Sequence, residues 1–263
     1  MIAYLIQIIL YRFIQLLLFK FMISERFELN VITIDNKRTF FQLIQLAAVF
    51  IIQLSIFVLL LKKKVYLKKY FKWIFSYRQT LNPFLGILVV SIPLILYAIY
   101  VNLFSGIYNE YFDKIFLYFV LFFFAIALSE ELIFRGYFYK LMIKKNKKIT
   151  IYMILLQALL FTMMHFNNPG HTYTRIGVVF LAGVLLGVVA LRGFIYAVIF
   201  HFLWNFIQAY LLGTNVSGYR FSGSIFTYPN APAWENNLYA GLFLCITILL
   251  FLILFFKNKK QFT

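Results

Sequence analysis

The sequence predicts an all-α protein, a polytopic transmembrane bundle of about eight helices with both termini on the cytoplasmic side. Three observations carry this. Hydrophobic residues make up 63% of the 263 residues, with 34 Phe among them, and mean hydropathy is +0.87, more apolar surface than a water-soluble core uses. The apolar residues fall in runs close to the length of about 20 that roughly 30 Å of hydrocarbon requires at about 1.5 Å per residue. Lys and Arg gather in blocks between alternate runs, as the positive-inside rule demands of cytoplasmic loops.

The runs, in order, are Met1–Met22, Phe40–Leu61, Phe84–Phe104, Ile115–Ile143, Ile151–Phe166, Ile176–Leu191, Phe194–Leu212 and Leu238–Phe256. The fourth is longer than a bilayer needs and the fifth and sixth are short, so the fourth and fifth form a hairpin whose tip, Lys144–Lys148, projects into water. The first has no basic leading region and no cleavage site, and is read as part of the mature protein; Arg12 and Lys20 would also let it lie in the interface. Sixteen basic residues fall on one face: Lys62–Arg78, Lys140–Lys148, Arg192 and the tail Lys257–Lys260. The opposite loops hold Arg26, Lys37, Arg38, Lys114, Arg175 and Arg220 with six acidic residues. The basic face is therefore cytoplasmic. The formal charge of +17 reflects this topology and does not indicate nucleic acid. Lys62–Tyr77 reads equally as a basic amphipathic segment on an anionic leaflet or as a solvated loop. Gly213–Asn237 reads as a long connection in preference to a cap. Gly183 and Gly187 share a helix face and permit close helix approach. Cys245 is a small apolar side chain with no partner for an internal disulfide. One membrane domain, 1–263, accounts for the chain, and its composition, rich in Lys, Ile, Phe and Asn, fits an AT-rich bacterial genome and a bacterial plasma membrane.

Against this background a few polar residues stand out. Glu130 and Glu131 are adjacent inside the fourth run, where uncompensated charge costs several kcal/mol on most scales. Arg135 follows four residues later, His165 closes the fifth run, and His201 and Asn205 lie four apart in the seventh. Residues at i and i+4 share a helix face, so Glu131 with Arg135, Phe161 with His165, and His201 with Asn205 give three helices one polar face each. In a tight hairpin Glu130 and His165, each 14 residues from the hairpin's turn, stand at one depth, roughly 20 Å from its tip. A carboxylate out of water is a stronger base than one in water, so Glu130 suits the activation of water, with His165 sharing the proton and His201 and the Asn205 amide as donors to an oxyanion. Arg135 neutralises Glu131. Singly, each residue has an ordinary reading as a bundle salt bridge or interhelical hydrogen bond; His171 is a surface residue. A proton-coupled transporter also uses intramembrane Glu and His, but it predicts repeats and broken helices, and neither is seen.

Glu130-Glu131-x-x-x-Arg135, Phe161-x-x-x-His165 and His201-x-x-x-Asn205, in this order, resemble the three motifs of the CAAX protease and bacteriocin-processing (CPBP, or Abi) family of intramembrane endopeptidases, which includes the type II CAAX prenyl endopeptidases. The resemblance covers about 115–212. It implies that Glu130 and His165 activate water, that His201 and Asn205 form the oxyanion hole, that Glu131, Arg135 and Phe161 support them, and that the substrate is a membrane-associated protein or peptide; a non-catalytic immunity protein would share the fold. The family is commonly called a metalloprotease. Zn would have Glu130, His165 and His201 as ligands; a metal-free mechanism uses the same residues, and Asn205, a poor Zn ligand but a good oxyanion donor, favours it.

Overall fold

The computed structural model describes residues 31–32, 107–108, 116–136, 147–166, 168, 172–191, 193–211, 213–217, 220–221, 224–227, 245 and 248–249. The first three expected spans, most of the eighth, both termini, Arg12, Lys62–Tyr77, His171 and most of the expected hairpin tip lie outside these.

The described residues are dominated by four helices. α1 (Phe116–Glu131) runs directly into a π-turn, Leu132–Gly136. α2 spans Lys147–His165, α3 Tyr173–Ala190, and α4 Phe194–Phe206, which again continues as a π-turn, Ile207–Leu211. α3, and α4 with its π extension, are each 18 residues long and apolar enough to cross a membrane, and Thr150–His165 is a shorter apolar helix. The helix starts depart from the apolar runs for local reasons. α2 begins four residues before Ile151, because Lys is a good helix former and needs no burial. α3 begins at Tyr173 because the Thr172 side chain caps it, accepting from the Arg175 backbone N–H at 3.2 Å. Arg175, read from sequence as a loop cation, is thus a helical residue, 3% exposed.

Short connections make α2 and α3, and α3 and α4, antiparallel neighbours. The turn into α4 passes through Gly193 at φ +154, a conformation open to Gly and rarely to other residues. The close approach of α2 and α3 rests on the two glycines singled out above. A Cβ on Gly183 would lie 2.9 Å from Ala158 Cα, and one on Gly187 would overlap the Gln157 amide. Gly183→Ala therefore forces the two backbones apart, and the expected cost is about 1–3 kcal/mol, read as a lower unfolding temperature in detergent; an unchanged temperature would show that the helices tolerate separation here. α1 lies against α4 and its π extension through aromatic contacts, Phe119 with Tyr210 at 5.1 Å and Phe116 edge-on to Phe206 at 5.8 Å between centroids.

The outer faces of α1 and α2 stay apolar. Leu117, Leu121, Ile151, Tyr152, Leu159 and Met163 are exposed, a surface suited to acyl chains and costly in water. Four two-residue strands add to the expected all-α architecture. β1 (Val31–Ile32) pairs in parallel with β3 (Arg220–Phe221), and β2 (Ile107–Tyr108) pairs antiparallel with β4 (Phe226–Thr227). The segment after α4 thereby pairs with two earlier parts of the chain and is more than the connection expected from the sequence.

Candidate active site

Arg135 organises the site. Its Nη1 donates to Glu131 Oε1 at 2.7 Å and its Nη2 to the Gly183 carbonyl at 3.0 Å, with both charged side chains 0% exposed. The guanidinium carbon also sits 4.9 Å from the centre of the Phe161 ring, a cation–π contact in an apolar setting. One side chain thus ties α1, α2 and α3 together, and Gly183, having no side chain, leaves its carbonyl open to the contact. All five residues of the π-turn that carries Arg135 are buried; such turns recur at functional sites.

His201 reaches the same carboxylate from α4. Its Nδ1 lies 2.8 Å from Glu131 Oε1, and since that oxygen also accepts from Arg135 Nη1, Nδ1 is the donor. The ring's orientation is set by that bond, as second-sphere carboxylates commonly set histidines. Its Nε2 then lies 3.8 Å from Glu130 Oε2. Among the described residues Glu130 Oε2 and Glu131 Oε2 are buried without a hydrogen-bond partner, so the two carboxylates keep acceptor capacity for other groups. Glu131 does more than pair with Arg135: it is the common acceptor of a guanidinium and an imidazole.

His165 is fixed by its own helix. Its Nδ1 lies 2.8 Å from the Phe161 carbonyl; a carbonyl only accepts, so Nδ1 carries the hydrogen and Nε2 is the basic nitrogen of the neutral ring. The Phe161 ring stands between the two histidines, 4.5 Å from His165 and 6.0 Å from His201 between centroids. A small cleft opens between α2, α3 and α4, with His165, His201, Asn205 and Ser217 as its polar lining and residues such as Ala182, Leu186 and Trp204 as apolar walls. Asn205 is buried, 7% exposed, on the same helical stripe as His201. Glu130 is not part of the cleft wall. His201 belongs to both groups, touching the carboxylates on one side and the cleft on the other.

The sequence reading gathered Glu130, Glu131, Arg135, Phe161, His165, His201 and Asn205, and in the structure each of these touches another of the set or lines the cleft. It did not anticipate that Glu131 holds His201, nor that Ser217 lines the cleft; the only sequence signal at Ser217 was a Ser-Gly dipeptide, which marks a turn. Glu130, His165 and His201 are the residues that zinc would use; among the described residues no group of three or more His, Cys, Asp or Glu is placed to hold a metal ion.

An apolar helical bundle in which His201 joins a buried carboxylate pair to a cleft shared with His165 and Asn205 defines a class, that of membrane-embedded proteins with an internal polar centre. Residues 112–207 match the family model described as type II CAAX prenyl endopeptidase Rce1-like, so this stretch of the chain is similar to that family. The matched segment contains α1 to α4 and every motif residue named above. No curated protein and no solved structure gives a significant match.

Proposed function

We propose that the protein is an intramembrane endopeptidase that hydrolyses a peptide bond in a membrane-associated protein or peptide, with Glu130 and His165 activating water and Asn205 and His201 stabilising the oxyanion, without a metal ion. What supports the reading most is the position of His201, held through Nδ1 by Glu131 and sharing a cleft with His165 and Asn205. Glu130 takes a proton from water as the hydroxide adds to the scissile carbonyl. The proton then passes to the departing amine, so that the carboxylate is regenerated. His165, with Nε2 as its basic nitrogen, shares that proton. The two oxyanion donors differ. The Asn205 amide donates as it stands, whereas His201, with its Nδ1 hydrogen committed to Glu131, donates from Nε2 only as imidazolium, for which Glu131 is the counter-charge.

Asn205 is therefore the donor that operates in either protonation state of the histidine. Asn205→Ala is expected to lower kcat by about 10²- to 10³-fold, the equivalent of about 2.7–4 kcal/mol for one oxyanion donor, in single-turnover cleavage of a fluorogenic membrane peptide. A rate equal to that of the wild type would remove Asn205 from the mechanism. We further place the protein in a bacterial plasma membrane as a multi-pass bundle with cytoplasmic termini. His201 is seven residues into α4, about 10 Å from the turn next to Arg192, so on that topology cleavage falls in the cytoplasmic half of the bilayer.

A further inference from the structure

The polar lining of the cleft has a fourth member that belongs to none of the three motifs. Ser217 comes from the loop after α4, and among the described non-Gly residues it has the one positive φ, +51. A side chain in this left-handed region costs free energy that Gly does not incur, and Gly218 stands next in the sequence, yet the strained position holds Ser. Such a conformation persists where the surroundings impose it. On either side of Ser217 the loop is bonded to the π-turn: the Gln208 carbonyl accepts from Thr214 N at 2.9 Å and from Thr214 Oγ1 at 3.1 Å, and the Tyr210 carbonyl accepts from Ile225 N at 2.7 Å. These bonds fold the loop back along the π-turn that extends α4, and so bring Ser217 to the cleft beside Asn205, His165 and His201.

We propose that Ser217 is a substrate-binding residue whose hydroxyl hydrogen-bonds the backbone of the bound peptide next to the carbonyl held by Asn205. This rests on the endopeptidase reading. A hydroxyl both donates and accepts, which matches the alternating groups of an extended peptide, and a contact made equally in ground and transition states lowers KM and leaves kcat alone.

The test is steady-state kinetics of the full-length protein in liposomes, with a fluorogenic membrane peptide that the wild type cleaves. Ser217→Ala and Ser217→Gly should each raise KM about 3- to 10-fold, the effect of losing one neutral hydrogen bond, with kcat within about twofold. Ser217→Asn, which tolerates the left-handed conformation and keeps a donor and an acceptor, should recover part of the loss. The Gly variant relaxes the backbone, so a purely conformational role predicts that it matches or exceeds the wild type; that result, or unchanged KM in both truncations, overturns the proposal. Glu130→Gln in the same assay separates the two claims: if it cleaves normally the endopeptidase reading itself fails, and if it is inactive while Ser217→Ala and Ser217→Gly keep the wild-type KM, only the role of Ser217 fails.

Discussion

Glu130→Gln is expected to reduce peptide cleavage by at least about 10²-fold, and by up to about 10⁴-fold, the range over which a positioned general base acts. The substitution keeps the shape of the side chain and removes only its basicity. Among the described residues the carboxylate's ion-pair contact is with His201, whose Nε2 lies 3.8 Å from Oε2, too far for a direct hydrogen bond, and its Oε2 has no hydrogen-bond partner among those residues. Little structure therefore depends on the charge of Glu130, and the variant should unfold at the wild-type temperature. Activity and stability measured on one preparation separate the two effects. Full activity in the variant would remove Glu130 from the chemistry, and a large loss of stability would mean that its charge is structural.

The opposite pattern is expected at Arg135, where stability is the first casualty. Arg135→Ala takes the guanidinium from a carboxylate that is 0% exposed and cuts the link to the Gly183 carbonyl on α3. Breaking a buried pair by removing one partner leaves an uncompensated charge and costs about 3–5 kcal/mol. The loss should appear as a lower midpoint of thermal unfolding in detergent. Activity should fall with it below the transition, because Glu131 also holds Nδ1 of His201. Exchanging both partners for neutral residues of similar size, Glu131→Gln with Arg135→Met, should restore much of the stability, since no buried charge is then left alone, but not the activity. A single Arg135→Ala variant as stable as the wild type would contradict Arg135 as the link between the three helices.

The helices and the polar residues were legible in the sequence for one reason: in an apolar run, every ionisable side chain is conspicuous. The run Phe194–Leu212 became α4 with its π extension to Leu211, and Ile176–Leu191 became α3 with its start moved to the Thr172 cap. Pairing at i and i+4 brought Glu131 to Arg135, and the spacing of Gly183 and Gly187 pointed to close helix contact. Other features lay beyond sequence reasoning. Which carboxylate faces His201 depends on how far α1 and α4 are rotated about their axes, and periodicity within one helix does not encode the rotation of another. The π-turns at Leu132 and Ile207 replace one backbone hydrogen-bonding pattern with another at little compositional cost, so nothing in Leu-Ile-Phe-Arg-Gly announces one. Ser217 reaches the cleft through backbone bonds from Gln208 and Tyr210, and backbone carbonyls are the same in every residue. The strand pairs of the outer loops are two residues long, below the length at which alternation can be read.

The most direct test of the central claim is cleavage of a quenched membrane-peptide library by the purified protein in liposomes, run with wild type and Glu130→Gln, each with and without a metal chelator. The account predicts hydrolysis by the wild type that continues in chelator and is lost in Glu130→Gln. Equal cleavage by wild type and variant, or no cleavage by a folded wild type across the library, would contradict the assignment as a glutamate-dependent endopeptidase; loss of wild-type activity in chelator would contradict its metal-free form.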